Sequence, residues 1–156
     1  MNSLEKFYFV KLEKINADLN LAIKAGDKVK VSTLRFLLAN LHNAKIAKGA
    51  DLTDEEVERE IARDVKRHKE SIEAFEAGGR EDLVSKERAQ LLILERYLPK
   101  PLSEGDIENI VGEAIEAIGA RSAADIGRVI KAVMSSVGSR ADGAKVAEIA
   151  KRKLSS

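Results

Sequence analysis

Tyr97-Leu98-Pro99-Lys100-Pro101-Leu102-Ser103 holds the only two prolines among 156 residues. Leu98 and Lys100, each preceding a proline, are pushed out of helical geometry, and neither proline can donate to a helical ladder. A helix therefore ends here. Ser103, with Asp106 three residues on, offers the N-cap of the next one. The spacing predicts a helical N-terminal domain over 1–98, a proline hinge over 99–103 and a small tail domain over 104–154.

On the N-terminal side, apolar residues recur three and four apart. Leu4, Phe7/Tyr8, Leu12, Ile15, Leu19 and Ala22/Ile23 line a helix over 3–25, stopped by Gly26. Asp27 caps a second helix that buries Val31, Leu34, Leu37, Leu38 and Leu41 and ends at Gly49. Thr53-Asp54-Glu55-Glu56 is a capping box for a third, which buries Val57, Ile61, Val65, Ile72 and Phe75 before Gly78-Gly79. A fourth runs from Arg80 to Leu98.

On the C-terminal side, Ile107, Ile110/Val111, Ile115 and Ile118 face inward on a helix closed by Gly119. Ser122 with Asp125 starts another, which buries Ile126, Val129/Ile130, Val133 and Val137 and is closed by Gly138 in a left-handed conformation. Asp142 caps the last, with Val146, Ile149 and Leu154 inward. No segment alternates at period two. The expected fold is all-α, an antiparallel domain of about four helices plus a small three-helix tail.

Composition narrows the chemistry. The absence of cysteine excludes disulfides, thiolate nucleophiles and thiolate metal sites. Two isolated histidines give no zinc pattern, and His68, between Val65 and Ile72, reads as a packed or hydrogen-bonded structural residue. There is no phosphate-binding glycine loop and no nucleophile elbow. No cofactor, no metal and no catalytic constellation is expected. With no signal peptide at Met1–Lys6 and no apolar run long enough to span a bilayer, a cytoplasmic protein with no membrane partner is expected.

Twenty-seven Lys and Arg against 26 Asp and Glu leave a formal charge of +1, whereas nucleic-acid binders usually carry a strongly basic domain. Any RNA binding must come from charge sorted onto faces. Lys28, Arg35 and His42 recur every seven residues along one side of the second helix. Arg59, Arg63, Lys66 and Arg67 form a similar basic stripe on the third. For both groups, spacing alone favours a solvated face, partnered on the third helix by Glu55, Glu60 and Glu70. In the tail, Arg128, Lys131, Arg140, Lys145, Lys151 and Arg152 meet few acids. Arg140 stands at the tight corner Gly138–Gly143, beside the amides of a helix N-terminus, an arrangement that suits an RNA backbone.

These tail residues carry a resemblance. Gly127-Arg128-Val129-Ile130-Lys131-Ala132-Val133-Met134, then Arg140-Ala141-Asp142-Gly143 and Val146 to Leu154, resemble the closing motif of the GatB/YqeY family. Asp27-Lys28-Val29, Ser32-Thr33-Leu34-Arg35, Leu52-Thr53-Asp54-Glu55-Glu56 and Glu95-Arg96-Tyr97-Leu98-Pro99 fall in the same order as in that family. Isoleucine at 126 and 130 and Ser139 depart from its usual residues. The resemblance implies a relative of the GatB subunit's C-terminal helical region, which helps a tRNA-dependent amidotransferase hold tRNA. It implies a non-catalytic tRNA-binding accessory module, with the six tail cations as contacts and Lys28, Arg35 and His42 as a second stripe. The alternative is an adaptor that docks on an aminoacyl-tRNA synthetase or amidotransferase. Carbon–nitrogen ligase activity with glutamine as donor is implied by family association alone.

Overall fold

The computed structural model describes residues 10–155. Seven α-helices account for most of them, and no strand occurs among the described residues. The helices are α1 (Val10–Ala25), α2 (Lys28–Lys48), α3 (Asp54–Ala77), α4 (Glu81–Glu95), α5 (Glu104–Ile118), α6 (Ile126–Val137) and α7 (Gly143–Leu154). Short 3₁₀ turns, Ala123–Asp125 and Gly138–Arg140, precede α6 and α7. The all-α expectation holds. Leu4, Phe7 and Tyr8 lie outside the described residues. The chain divides between Leu98 and Pro99 into two compact units.

In the first unit, local chemistry sets the helix boundaries. The Asp27 carboxylate accepts from Lys30 N–H, capping α2, and Gly49 ends that helix at φ 76°, where a side chain would be strained. Thr53 Oγ1 accepts from Glu56 N–H at 3.2 Å, and Glu56 Oε2 accepts from Thr53 N–H at 2.9 Å. Lys48 Nζ adds an ion pair to the same carboxylate at 2.7 Å. Foremost the Lys48 hydrogen bond, then that from Thr53, hold the Glu56 carboxyl below its ordinary 4.5. A depressed carboxyl pKa stabilises the fold fully above the unfolded value, and the stabilisation is lost as pH falls through the folded value. Glu56→Gln should therefore lower stability at pH 7 and flatten its decline below pH 4.5. Parallel acid-unfolding curves for the two proteins would contradict this.

The core of this unit gathers Ile15, Leu34, Leu37, Leu41, Leu52, Val57, Ile61, Val65, Leu94 and Tyr97 from all four helices and their links. Helix α2 lies against α1, α3 and α4, and α3 packs most extensively on α4. Three expectations change. Ile23 is exposed at 46%, with Ala22 buried in its place. Phe75 is only half-buried. Helix α4 stops at Glu95, because residues 96–98 form turns in which Tyr97 N–H and Leu98 N–H donate three residues back, to Leu94 O and Glu95 O. Tyr97 then drops into the core with its hydroxyl donating to Asp18 Oδ2 at 2.6 Å.

One buried charge was not anticipated. Asp64 on α3 is 3% exposed, accepts twice from Asn40 Nδ2 at 3.2 and 3.3 Å, and pairs with Arg67. A buried carboxylate requires such partners. His68 pairs with Glu87 through Nδ1, as expected of a structural histidine.

The second unit is a three-helix core of mostly small and β-branched residues, Val111, Val129, Val133, Val146 and Ile149 among them. Each of its helices contacts the other two. Ser103 Oγ accepts from Asp106 N–H at 3.1 Å and caps α5, and Gly119 ends it at φ 73°. The proline segment is fastened into this unit. Leu102 packs on its core and donates its N–H to Arg140 O at 2.9 Å.

Candidate nucleic-acid interface

The tail corner is built by one cap and one unusual glycine. Asp142 Oδ1 accepts from Ala144 N–H at 3.0 Å and starts α7. Gly138 has φ 56° but ψ −128°, so it is not in the left-handed helical conformation expected for it. That conformation directs the chain into the 3₁₀ turn that carries Arg140, and a residue with a Cβ would adopt it only under strain. Arg140 is exposed, its carbonyl holds Leu102 N–H, and its Nε donates to Lys100 O at 3.4 Å. Its terminal guanidinium nitrogens have no partner among the described residues.

The other tail cations are less available than their sequence spacing suggests. Arg128 pairs with Asp125 at 3.0 Å. Asp125 also accepts from the backbone N–H groups of Arg121 and Ser122, and these bonds, that from Arg121 foremost, pull its carboxyl below the ordinary range. Lys145 lies 3.4 Å from Glu104 and 3.6 Å from Glu148, and Arg152 lies 2.6 Å from Glu108 and 3.9 Å from Glu104. The reading that these cations meet few acids is therefore corrected. Glu104 and Glu108 reach them from α5, some forty residues earlier. The i, i+4 spacing of those two acids, on one face of α5, is the signal that sequence reasoning passed over. Lys131 and Lys151 are exposed and make no ion pair among the described residues.

The second stripe is also displayed. Lys28, Arg35 and His42 are exposed along α2, and none forms an ion pair among the described residues. Lys28 and Arg35 come together at one open depression with Ile23, Val31 and Phe36, whereas His42 stands beyond it. On α3, Arg63 pairs with Glu60 at 2.7 Å and Arg67 with the buried Asp64, a solvated and structural use of that stripe.

Among the described residues, no group of three His, Cys, Asp or Glu is placed to hold a metal, and no helix is long and apolar enough to cross a membrane. Fold and surface thus define an all-helical protein of two compact units whose candidate residues are exposed cations on helix faces and at one corner. The sequence model of the YqeY family, described as Yqey-like protein, matches residues 12–154, and the chain belongs to that family.

Named relatives agree in kind. Altered inheritance of mitochondria protein 41, mitochondrial, of Pyrenophora tritici-repentis is 36% identical over 136 residues, covering 85% of this chain and 74% of that protein. The protein of the same name from Saccharomyces cerevisiae is 30% identical over 114 residues, 71% of this chain and 62% of its own length. That from Lachancea thermotolerans is 32% identical over 92 residues, 58% of this chain and 49% of its own. The chain thus spans less than two thirds of these two yeast relatives.

All three are named as mitochondrial proteins, and this overturns the cytoplasmic location expected from the sequence. Lack of cysteine and of a long apolar run does not distinguish one aqueous compartment from another.

Proposed function

We propose that this protein is a non-catalytic RNA-binding accessory module that contacts tRNA through its tail unit and serves an aminoacylation or amidation system. The observation that supports this is the presentation of Arg140. Its backbone is pinned by Leu102, its Nε is occupied by Lys100 O, and its outward nitrogens stay open to a phosphate. A guanidinium restrained at Nε and held on an anchored backbone gives up less freedom on binding than an unrestrained one. Lys131 and Lys151 supply further phosphate contacts, whereas Lys145 and Arg152 must first leave Glu104 and Glu108.

Binding of bulk tRNA across a salt series tests the assignment. Arg140→Ala combined with Lys131→Ala should weaken binding and lower the salt slope by about two units, roughly one per phosphate contact. Arg152→Ala should change the slope less, because its cation is already neutralised. Unchanged affinity and slope in the double variant would remove the tail from consideration as the RNA contact.

A second reading, an adaptor that docks on a synthetase or amidotransferase, is favoured by one observation. Exposed large apolar residues cluster on α1 and α2, with Leu21, Ile23, Val29, Phe36 and Ile46 between 44% and 65% exposed. An adaptor should capture its partner in the presence of nuclease and at salt concentrations that release RNA.

A further inference from the structure

Helices α1 and α2 differ in charge from the rest of their unit. Residues 10–48 hold eight Lys and Arg against three Asp and Glu, whereas residues 54–95 hold eight against thirteen. Three of those eight cations, Lys11, Lys45 and Lys48, are taken up by Glu58, Asp51 and Glu56. Lys28 and Arg35 are not paired among the described residues. They border an open depression of about 720 Å³ whose apolar wall is formed by Ile23, Val31 and Phe36. Phe36 is 59% exposed and Ile23 46%.

Phe36 and Ile23 stand beside unpaired cations, and an aromatic ring next to an arginine is the mix that the cores of recognition surfaces favour. We propose that this depression is a docking site for an acidic amphipathic helix of a partner protein. The helix would lay an apolar residue against Phe36 and Ile23 and place carboxylates against Lys28 and Arg35. Charge complementarity selects an acidic partner. The depression is shallow, and Lys28 and Arg35, seven residues apart on one side of α2, match carboxylates spaced along a helix laid across it. The aliphatic Ile23 and Val31 offer little to a nucleotide base, which stacks on aromatic rings. The proposal rests on the adaptor reading, adds the site and the chemistry of the partner, and is independent of RNA binding by the tail.

The test uses two labelled helical peptides of about 16 residues, long enough to span the face. One carries Leu at i, i+4 and i+7 with Glu on the flanks, and its twin carries Lys in place of Glu. Fluorescence anisotropy with the full chain should show the acidic peptide binding and the basic twin at least about tenfold weaker. Phe36→Ala should weaken the acidic peptide by about tenfold or more, as truncation of a central anchor does. Lys28→Glu with Arg35→Glu should abolish binding. Leu92→Ala, at an equally exposed apolar residue on α4 (63%), should leave it unchanged, which separates a site from general stickiness.

Circular dichroism melts would establish that each variant is folded. Equal binding of both peptides, or equal loss from Leu92→Ala and Phe36→Ala, would overturn the proposal. So would a dimer that Phe36→Ala dissolves, displacement of the peptide by tRNA, or binding to anionic vesicles through Phe36, since each gives the depression to another occupant. Nuclease-resistant capture of a partner that is insensitive to Phe36 and Arg35 would leave the adaptor reading standing and remove this site from it.

Discussion

Tyr97→Ala should lower the stability of the first unit by about 3–5 kcal/mol, the range for deleting a buried aromatic ring. The residue is 6% exposed and packs in the core formed by Ile15, Leu34 and Leu94. It also fixes the chain end of α4 to α1 in two ways. Its hydroxyl donates to Asp18 at 2.6 Å, and its carbonyl accepts from Lys11 Nζ at 2.6 Å, while the same ammonium pairs with Glu58 at 2.7 Å.

Tyr97→Phe keeps the ring and removes only the bond to the carboxylate, which should cost about 1.5 kcal/mol. That is the low end for a charge-assisted bond, because half-buried Asp18 can recover water. Burial, and next the Asp18 bond, push the phenol pKa well above its ordinary 10.0. A raised pKa gives stability that is complete below the unfolded value and lost as pH rises through the folded one. The wild type should therefore lose stability above pH 10 more steeply than Tyr97→Phe. Denaturant titration at pH 7 and above pH 10 checks both effects. An alanine variant within about 0.5 kcal/mol of wild type, the ordinary range of a surface change, would show that the ring does not hold this junction.

How much was legible in the sequence follows from how local each cause is. Asp27, Thr53, Ser103 and Asp142 act within three residues of themselves, and their capping bonds stand where spacing placed them. Gly49 and Gly119 end helices because positive φ is a local need. The proline pair likewise stops α4, yet the precise end at Glu95 depended on Tyr97 turning inward, a tertiary event.

The site was less legible. Arg152 and Lys145 looked free because Glu108 and Glu104 are distant in sequence and meet them only once α5 and α7 pack. Asp64 stands among charged residues along α3, and its burial becomes tolerable only through Asn40 on another helix. Helical periodicity marks a face as apolar without saying whether a neighbour covers it. For that reason Ile23 could be assigned inward and then stand exposed beside Phe36.

Ile149→Ala should unfold a substantial fraction of the tail unit under native conditions. The side chain is fully buried at the meeting of α5, α6 and α7, and its truncation costs about 2–5 kcal/mol. A unit of this length buries only about 60% of the surface of its unfolded chain, and a core of this size supplies about 3–5 kcal/mol. Loss and reserve are therefore comparable. Valine and alanine dominate the buried core, and its larger flexible neighbours, Met134 and Leu154, pack only partly buried against it. Ile149→Val, which removes one methylene, should cost about 0.5–1.5 kcal/mol and leave the unit folded.

Hydrogen exchange at the amides of α6 and α7 provides the measurement. Protection should collapse in the alanine variant and fall slightly in the valine one. Wild-type protection in Ile149→Ala would mean that the tail draws stability from beyond its own core. The consequence for function is specific. Arg140 owes its fixed position to the bond from Leu102 and to the turn before α7, so a tail that opens loses that presentation with every cation still in place. Ile149→Ala should accordingly weaken tRNA binding without altering the charge of the protein. A destabilised tail that bound tRNA with unchanged affinity would show that the corner geometry is irrelevant to it.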